Sequence, residues 1–116
     1  MSTDRIFQIK SHLQPSDGEP IRSVVTESPD ATVVVWIVQP GQRIAAHVHP
    51  HGQDTWTIVS GTGSYQLNAA GDLLAISASD IVVAPRAAVH GVHNHGTEPL
   101  VFVSVVCPAD AGYSLV

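Results

Sequence analysis

The chain has 116 residues, of which 44% are apolar, and a formal net charge of −5. We expect one domain over residues 1–116, because this length is enough for a single hydrophobic core. Nucleic acids need clustered Lys and Arg to neutralise their phosphates, and the five such residues here form no basic run, so we exclude that class of partner. The longest apolar run, Val33–Val38, is too short to span a bilayer, which argues against a membrane partner.

The first residues and the single cysteine bear on location. The first ten residues, MSTDRIFQIK, mix charged and apolar residues, so we expect no secretory signal peptide. Cys107 is the only cysteine, which excludes an intramolecular disulfide, and we expect its side chain to be small, apolar and buried. We therefore expect a cytoplasmic protein.

The predicted elements are almost all strands. Residues 1–20 form an N-terminal arm with room for one helical turn before Pro15 and Pro20. From Ile21 onward, short runs rich in Val, Ile and Thr alternate with turn residues, which predicts an antiparallel all-β sandwich or barrel. The nine predicted strands are Ile21–Glu27, Thr32–Gln39, Ile44–His49, Asp54–Val59, Ser64–Asn68, Leu73–Ser77, Ile81–Ala84, Val89–His93 and Leu100–Cys107.

The stretch HVHPHGQD, residues 47–54, is the first of two segments rich in histidine. Strand alternation puts His47 and His49 on one face. In the next predicted strand Asp54 shares a face with Trp56 and Ile58, which we expect to be the interior face. A carboxylate on an apolar face costs several kcal/mol unless something pairs with it, and a metal cation is the obvious partner.

Two further features of these segments leave alternatives open. A bulge or irregular turn after Gly52 would bring Gln53 inward in place of Asp54. The second segment, PRAAVHGVHNHG, contains His90, His93 and His95. Strand parity separates His90 from the other two, so only one of these sets can face the interior.

Both segments resemble motifs of the cupin family. GQRIAAHVHPHGQDTWTIVSG, residues 41–61, is similar to the first cupin motif, with Asp54 at the position where the family usually has Glu. SDIVVAPRAAVHGVHN, residues 79–94, is similar to the second motif, with Ser79 and Ala87 in place of its glycines. The two motifs stand in the right order, about 17 residues apart. The resemblance implies an antiparallel double-stranded β-helix, the cupin jelly-roll barrel.

The resemblance also implies a metal site. It carries over His47, His49 and His90 as metal-binding positions, with Asp54, Gln53 or a water molecule as the fourth ligand. Neutral imidazoles with an oxygen ligand suit one divalent transition metal per chain, which can be Fe, Mn, Ni, Co or Zn. The other three histidines of these two segments are expected elsewhere: His51 at the rim of the site, and His93 and His95 at the surface or in a subunit contact.

Three functions fit such a site. The first is a metal-dependent enzyme, with a dioxygenase-like reaction preferred, that acts on a small oxygenated molecule held in the barrel. The second is a non-catalytic module that binds or senses a metal or a small molecule. The third is a metal-free sugar-type isomerase or epimerase with histidine as the base, although the paired His-x-His offers more rings than one base requires.

We also expect a homodimer. Small cupins are commonly dimers, and the apolar strands Thr32–Gln39 and Leu100–Cys107 show little polar alternation. Such a pattern is typical of strands that are covered on both faces, as a dimer would provide.

Overall fold

The structure, a computed structural model, describes residues 4–116, so the first three residues of the predicted N-terminal arm lie outside the described residues. The arm contains one short 3-10 helix, Ile9–His12. The strands are β1 (Ser23–Glu27), β2 (Thr32–Val38), β3 (Arg43–Val48), β4 (Gln53–Ser60), β5 (Thr62–Gln66), β6 (Leu73–Ser77), β7 (Ile81–Ala84), β8 (His90–His93), β9 (Leu100–Cys107) and β10 (Ser114–Leu115).

The strands form two five-stranded sheets in which every pairing is antiparallel. The strand order is β1-β2-β9-β4-β7 in one sheet and β10-β3-β8-β5-β6 in the other. Strands distant in sequence therefore lie side by side, as β2 and β9 do in the first sheet and β3 and β8 in the second. The predicted all-β fold, an antiparallel double-stranded β-helix, is confirmed.

The hydrophobic core lies between the sheets and is centred on β4 and β9. Asp54, Trp56 and Ile58 of β4 are buried in alternation, as the sequence predicts. The Trp56 ring stacks on Phe102 of β9, with centroids 4.2 Å apart, and meets Tyr65 of β5 edge-on at 5.3 Å. This aromatic cluster fills the middle of the barrel and places Asp54, two residues before Trp56 on β4, beyond its edge.

A β-bulge in β3 decides the direction of the His47 side chain. Ile44 pairs with Val92 and His47 pairs with His90, so three steps on β3 match two steps on β8. The extra residue lets Ile44 and His47 both face the interior, although their odd spacing would separate them on a regular strand. Gly91 makes this close pairing possible, because a Cβ there would lie 2.8 Å from the Ile44 carbonyl oxygen.

The two positions where the second motif lacks its glycines keep a glycine-like backbone. Ser79 and Ala87 have φ angles of 78° and 63°, in the left-handed region that L-residues rarely adopt. The N–H of Ala87 donates a hydrogen bond to the carbonyl oxygen of His49 at 3.0 Å. This turn therefore fixes the backbone of the histidine segment even without glycine.

The nine predicted strands are present with some ends shifted by one or two residues, and two further predictions differ from the structure. β10 was not predicted, because only two residues, Ser114 and Leu115, pair with β3 and so short a segment shows no alternation. The prediction that Cys107 is buried was wrong: it ends β9 on the same parity as Val103 and Val105, the outer side of that strand, and is exposed. Within residues 4–116, no helix is long and apolar enough to cross a membrane.

Candidate metal centre

Four side chains from the two sheets and the turn between β3 and β4 converge at one end of the barrel. His47 comes from β3, His49 from the turn after it, Asp54 from β4 and His90 from the start of β8. One ligand atom from each residue lies within 4.8 Å of the others. Oδ2 of Asp54 is 3.0 Å from Nε2 of His90 and 3.4 Å from Nε2 of His49. His47, Asp54 and His90 are buried and His49 is partly buried, so the cluster lies inside the barrel wall.

Each imidazole is held by its Nδ1 atom, which lies within hydrogen-bond distance of a backbone carbonyl oxygen. The acceptors are Ala45 for His47, Gly112 for His49 and Ala88 for His90, at 2.8, 2.8 and 3.0 Å. A ring that donates from Nδ1 to a carbonyl has its Nε2 available as the ligand atom. All three rings therefore turn Nε2 toward the centre of the cluster.

Ser104 of β9 orients the carboxylate. Its hydroxyl donates to Oδ1 of Asp54 at 2.5 Å, which leaves Oδ2 facing the histidines. No motif pointed to Ser104, although a signal exists in the sequence: it is the only polar residue in the apolar run LVFVSVV, residues 100–106. A buried hydroxyl in such a run needs a hydrogen-bond partner inside the protein.

The electrostatics of the cluster keep most of its lone pairs available near neutral pH. Burial lowers the pKa of His47 to about 4, so this ring is neutral. The hydrogen bond with Asp54 raises the pKa of His49. Burial alone would raise the pKa of Asp54, but hydrogen bonds from His49, His90 and Ser104 outweigh it and hold that pKa well below its usual range. Asp54 is therefore a carboxylate at neutral pH.

The donor set fits a divalent transition metal. Nε2 lone pairs that face a carboxylate oxygen repel it unless a proton or a metal cation lies between them. Nitrogen and oxygen ligands about 2.1 Å from one metal lie roughly 3.0–3.4 Å apart at bond angles between octahedral and tetrahedral. The two separations measured from Asp54 fall in this range. Three imidazoles and one carboxylate suit Fe, Mn, Ni, Co or Zn.

Gln53 does not join the cluster. It is exposed on the opposite face of β4, and its amide donates to the Thr55 hydroxyl at 3.2 Å. β4 pairs with β9 in continuous register from Gln53 to Ile58. The bulge that would turn Gln53 inward is therefore not present at this point of β4. Of the two residues proposed from the sequence as fourth ligand, the structure brings Asp54 to the three rings.

The remaining histidines lie outside the cluster. His51 is exposed in the turn between β3 and β4. His93 and His95 pack against each other with ring centroids 3.8 Å apart and line a separate cavity of about 650 Å³ together with Arg43. The predicted separation of His90 from this pair is confirmed.

A cavity of about 490 Å³ extends from the cluster. Its walls are mostly apolar, and the side chains that form them include Val34, Trp36, Ile44, Trp56 and Val106. Arg22 lines the same cavity. The Tyr113 ring lies 5.1 Å from that of His47 and also contributes to the wall.

The C-terminal segment completes this end of the barrel. Gly112, which binds His49, and Tyr113, which covers His47, had no motif to identify them in the sequence. The contact between Gly112 and His49 spans 63 positions of the chain. At Gly52 the turn is packed so closely against this segment that a Cβ would lie 2.5 Å from that of Ala111.

Comparisons with known proteins agree with this fold. A family model described as "Cupin domain" matches residues 34–106. An uncharacterized conserved protein with a double-stranded β-helix domain from Klebsiella pneumoniae subsp. pneumoniae is 53% identical to this chain. The two structures superpose with a TM-score of 0.94, and the match covers 97% of this chain and 96% of the other.

Other matches are more distant, and the two solved structures among them show the fold alone. KdgF from Halomonas sp. is 24% identical, with a TM-score of 0.70 over 82% of this chain and 85% of that one. An oxalate oxidase is 14% identical, with a TM-score of 0.79 over 99% of this chain and 65% of the other. A mannose-1-phosphate guanylyltransferase of Escherichia coli is 28% identical over 68 residues, which are 59% of this chain but only 14% of the enzyme. Since the names of these proteins imply different chemical reactions, the shared fold does not select one activity for this chain.

Proposed function

The chain belongs to the cupin family, and we propose that it is a metal-dependent enzyme, dioxygenase-like in its reaction, which acts on a small oxygenated molecule held in the barrel. The observation that carries this proposal is the convergence of three imidazole Nε2 atoms and one carboxylate oxygen beside an apolar cavity of about 490 Å³. Binding sites for small molecules typically combine apolar walls with a few well-placed polar groups.

The residues of the site have different roles. When bound, one divalent transition metal supplies Lewis-acid or redox chemistry. His47, His49, His90 and Asp54 would hold this metal. Ser104 keeps the carboxylate in place through Oδ1. The apolar walls exclude water and accept the body of the substrate.

A second candidate is the metal-free isomerase or epimerase. Its support is the contact of 3.0 Å between Asp54 and His90, since a carboxylate can orient an imidazole that acts as a base. Three converging rings exceed this need. A binding or sensing module would use the same geometry without turnover, so only an activity measurement separates it from the enzyme.

Metal uptake tests the site. Protein purified without added metal is analysed for bound metal and then titrated with Zn(II), Mn(II) and Fe(II). We expect about one equivalent per chain, lost in Asp54→Ala and retained in the matched neighbour Gln53→Ala, whose side chain is exposed. No uptake by the wild type would exclude the metal enzyme and favour the metal-free base.

Turnover tests the reaction. The iron-loaded protein is mixed with a panel of diols, catechols and β-diketones while oxygen consumption is followed, with His90→Ala as the inactive control. Consumption that depends on one class of compound supports the dioxygenase-like reaction. Tight binding without consumption or product would favour the sensing module.

The homodimer is likewise a proposal. Ile81 and Val83 of β7 are 69% and 48% exposed, and such apolar residues on an outer sheet face suit a partner surface. Light scattering should give about twice the chain mass of 12.2 kDa, and a mass near that of one chain would contradict it.

A further inference from the structure

Arg22 lies immediately before β1 and lines the cavity that holds the metal-binding cluster. It is the only Lys or Arg among the residues that line this cavity. Among residues 4–116, no carboxylate lies within 4.0 Å of the Arg22 guanidinium, and the ion pairs in this cavity join Asp54 to histidines. Arg22 therefore presents a positive charge that no ion pair within the described chain neutralises.

The charges around the cavity favour an anion. Asp54 is the only acidic residue that lines the cavity, and its carboxylate faces the cluster. It would offset only half of the charge of a divalent metal. The cavity would then carry one positive charge at the metal and a second at Arg22, in a chain whose net charge is −5. This local reversal of sign attracts anionic ligands and rejects cationic ones.

The rest of the wall limits the ligand further. Apart from Arg22, the cluster and Ser104, the cavity is lined mainly by aliphatic and aromatic side chains, among them Trp36, Ile44 and Val106. Apolar walls bind a ligand through the area removed from water and reject a body with many hydroxyl groups, whose hydrogen bonds they cannot replace.

We propose that the substrate is a small organic acid with an apolar body, whose carboxylate pairs with Arg22 while an oxygen donor at its other end faces the metal. This inference rests on the proposed function, because it places one end of the ligand at the metal. The planar guanidinium can donate two parallel hydrogen bonds to a carboxylate, a geometry that lysine cannot reproduce. Arg22 is thus a residue that determines specificity.

Two catechols of the same shape test the inference. Protocatechuate carries a carboxylate opposite its diol, and its primary amide lacks that charge. Calorimetric titration of the redox-inert Zn(II)-loaded protein should give a dissociation constant about tenfold lower for protocatechuate than for the amide. Arg22→Gln should reduce this preference to less than about twofold, and Arg22→Lys should retain part of it. Salt should weaken the preference of the wild type.

The matched control is Arg43→Gln, which removes the same charge from an exposed arginine that lines the other cavity. It should keep the full preference. A preference that persists in Arg22→Gln, or a zinc-loaded wild type that does not distinguish acid from amide, would overturn the inference while the metal site stands. A wild type that takes up no zinc would overturn the proposed function, and the inference with it. Since Arg22 is exposed, both variants should fold. If Arg22→Gln does not fold, Arg22→Lys alone tests the inference.

Discussion

The histidines of the two histidine-rich segments form two groups that share a residue type but not an environment. In the first group, formed by His47, His49 and His90, a backbone carbonyl oxygen lies at Nδ1 of each ring, and the buried Asp54 carboxylate lies near Nε2 of His49 and His90. In the second, His93 and His95 pack ring against ring beside a separate cavity. Within residues 4–116, only the first group assembles three or more possible metal ligands.

The difference shows what makes a histidine a ligand. The imidazole alone is the same in both groups. Carbonyl acceptors at Nδ1 and a shared carboxylate convert three rings into a preorganised set of lone pairs. Rings come close together in both groups, but only the group that meets Asp54 offers a site for a cation. The predictions below test this contrast.

The largest effect should come from deleting one ring of each group. His90→Ala removes a ligand, and we expect metal affinity to fall more than about 100-fold, which exceeds the usual effect of an outer partner. His93→Ala removes a ring of the second group and should change the affinity less than about twofold. Competition with a chromophoric chelator measures both variants. Equal losses would show that the two groups do not differ as the structure indicates.

A smaller effect should follow from loosening the carboxylate. Ser104→Ala removes the hydroxyl that donates to Oδ1 of Asp54, and we expect metal affinity to fall about tenfold. The matched control is Ser60→Ala, at the exposed end of β4, which should leave the affinity unchanged. Unchanged affinity in Ser104→Ala would mean that the packing around Asp54 orients it without the hydroxyl.

The smallest effect should appear in the pH dependence of the metal-free protein. Burial lowers the pKa of His47 from its ordinary 6.5 to about 4. Between these values the unfolded chain binds a proton that the folded protein does not, so the free energy of unfolding should fall as the pH falls from 6.5 to 4. His49 has a raised pKa. Its contribution is therefore present below pH 6.5 and lost as the pH rises through the raised value.

Urea denaturation from pH 8 to pH 4 separates these contributions. His47→Gln should remove part of the loss on the acidic side. The folded pKa of Asp54 is lowered, so its stabilisation is present above its ordinary pKa of 3.8 and is lost only as the pH falls through and below that value. A His47→Gln variant with an unchanged acid profile would contradict the burial of His47.

Much of the fold and part of the site could be predicted from the sequence. The alternation of Asp54, Trp56 and Ile58 predicted the buried face of β4, and the two motifs identified the residues of the cluster. The bulge in β3 could not be predicted, because it depends on how β3 meets Gly91 of β8. Without it, His47 would not share the interior with Ile44.

The sequence by itself determined the strand periodicity, the turns and the histidine motifs, because these depend on residues a few positions apart and on local backbone geometry. Only the tertiary structure decided that Asp54 and not Gln53 meets the rings, since this depends on the register of β4 against β9. It also brought in Ser104 and Gly112 across 50 and 63 positions. Such contacts form when two sheets close on each other, a packing event that no local pattern encodes.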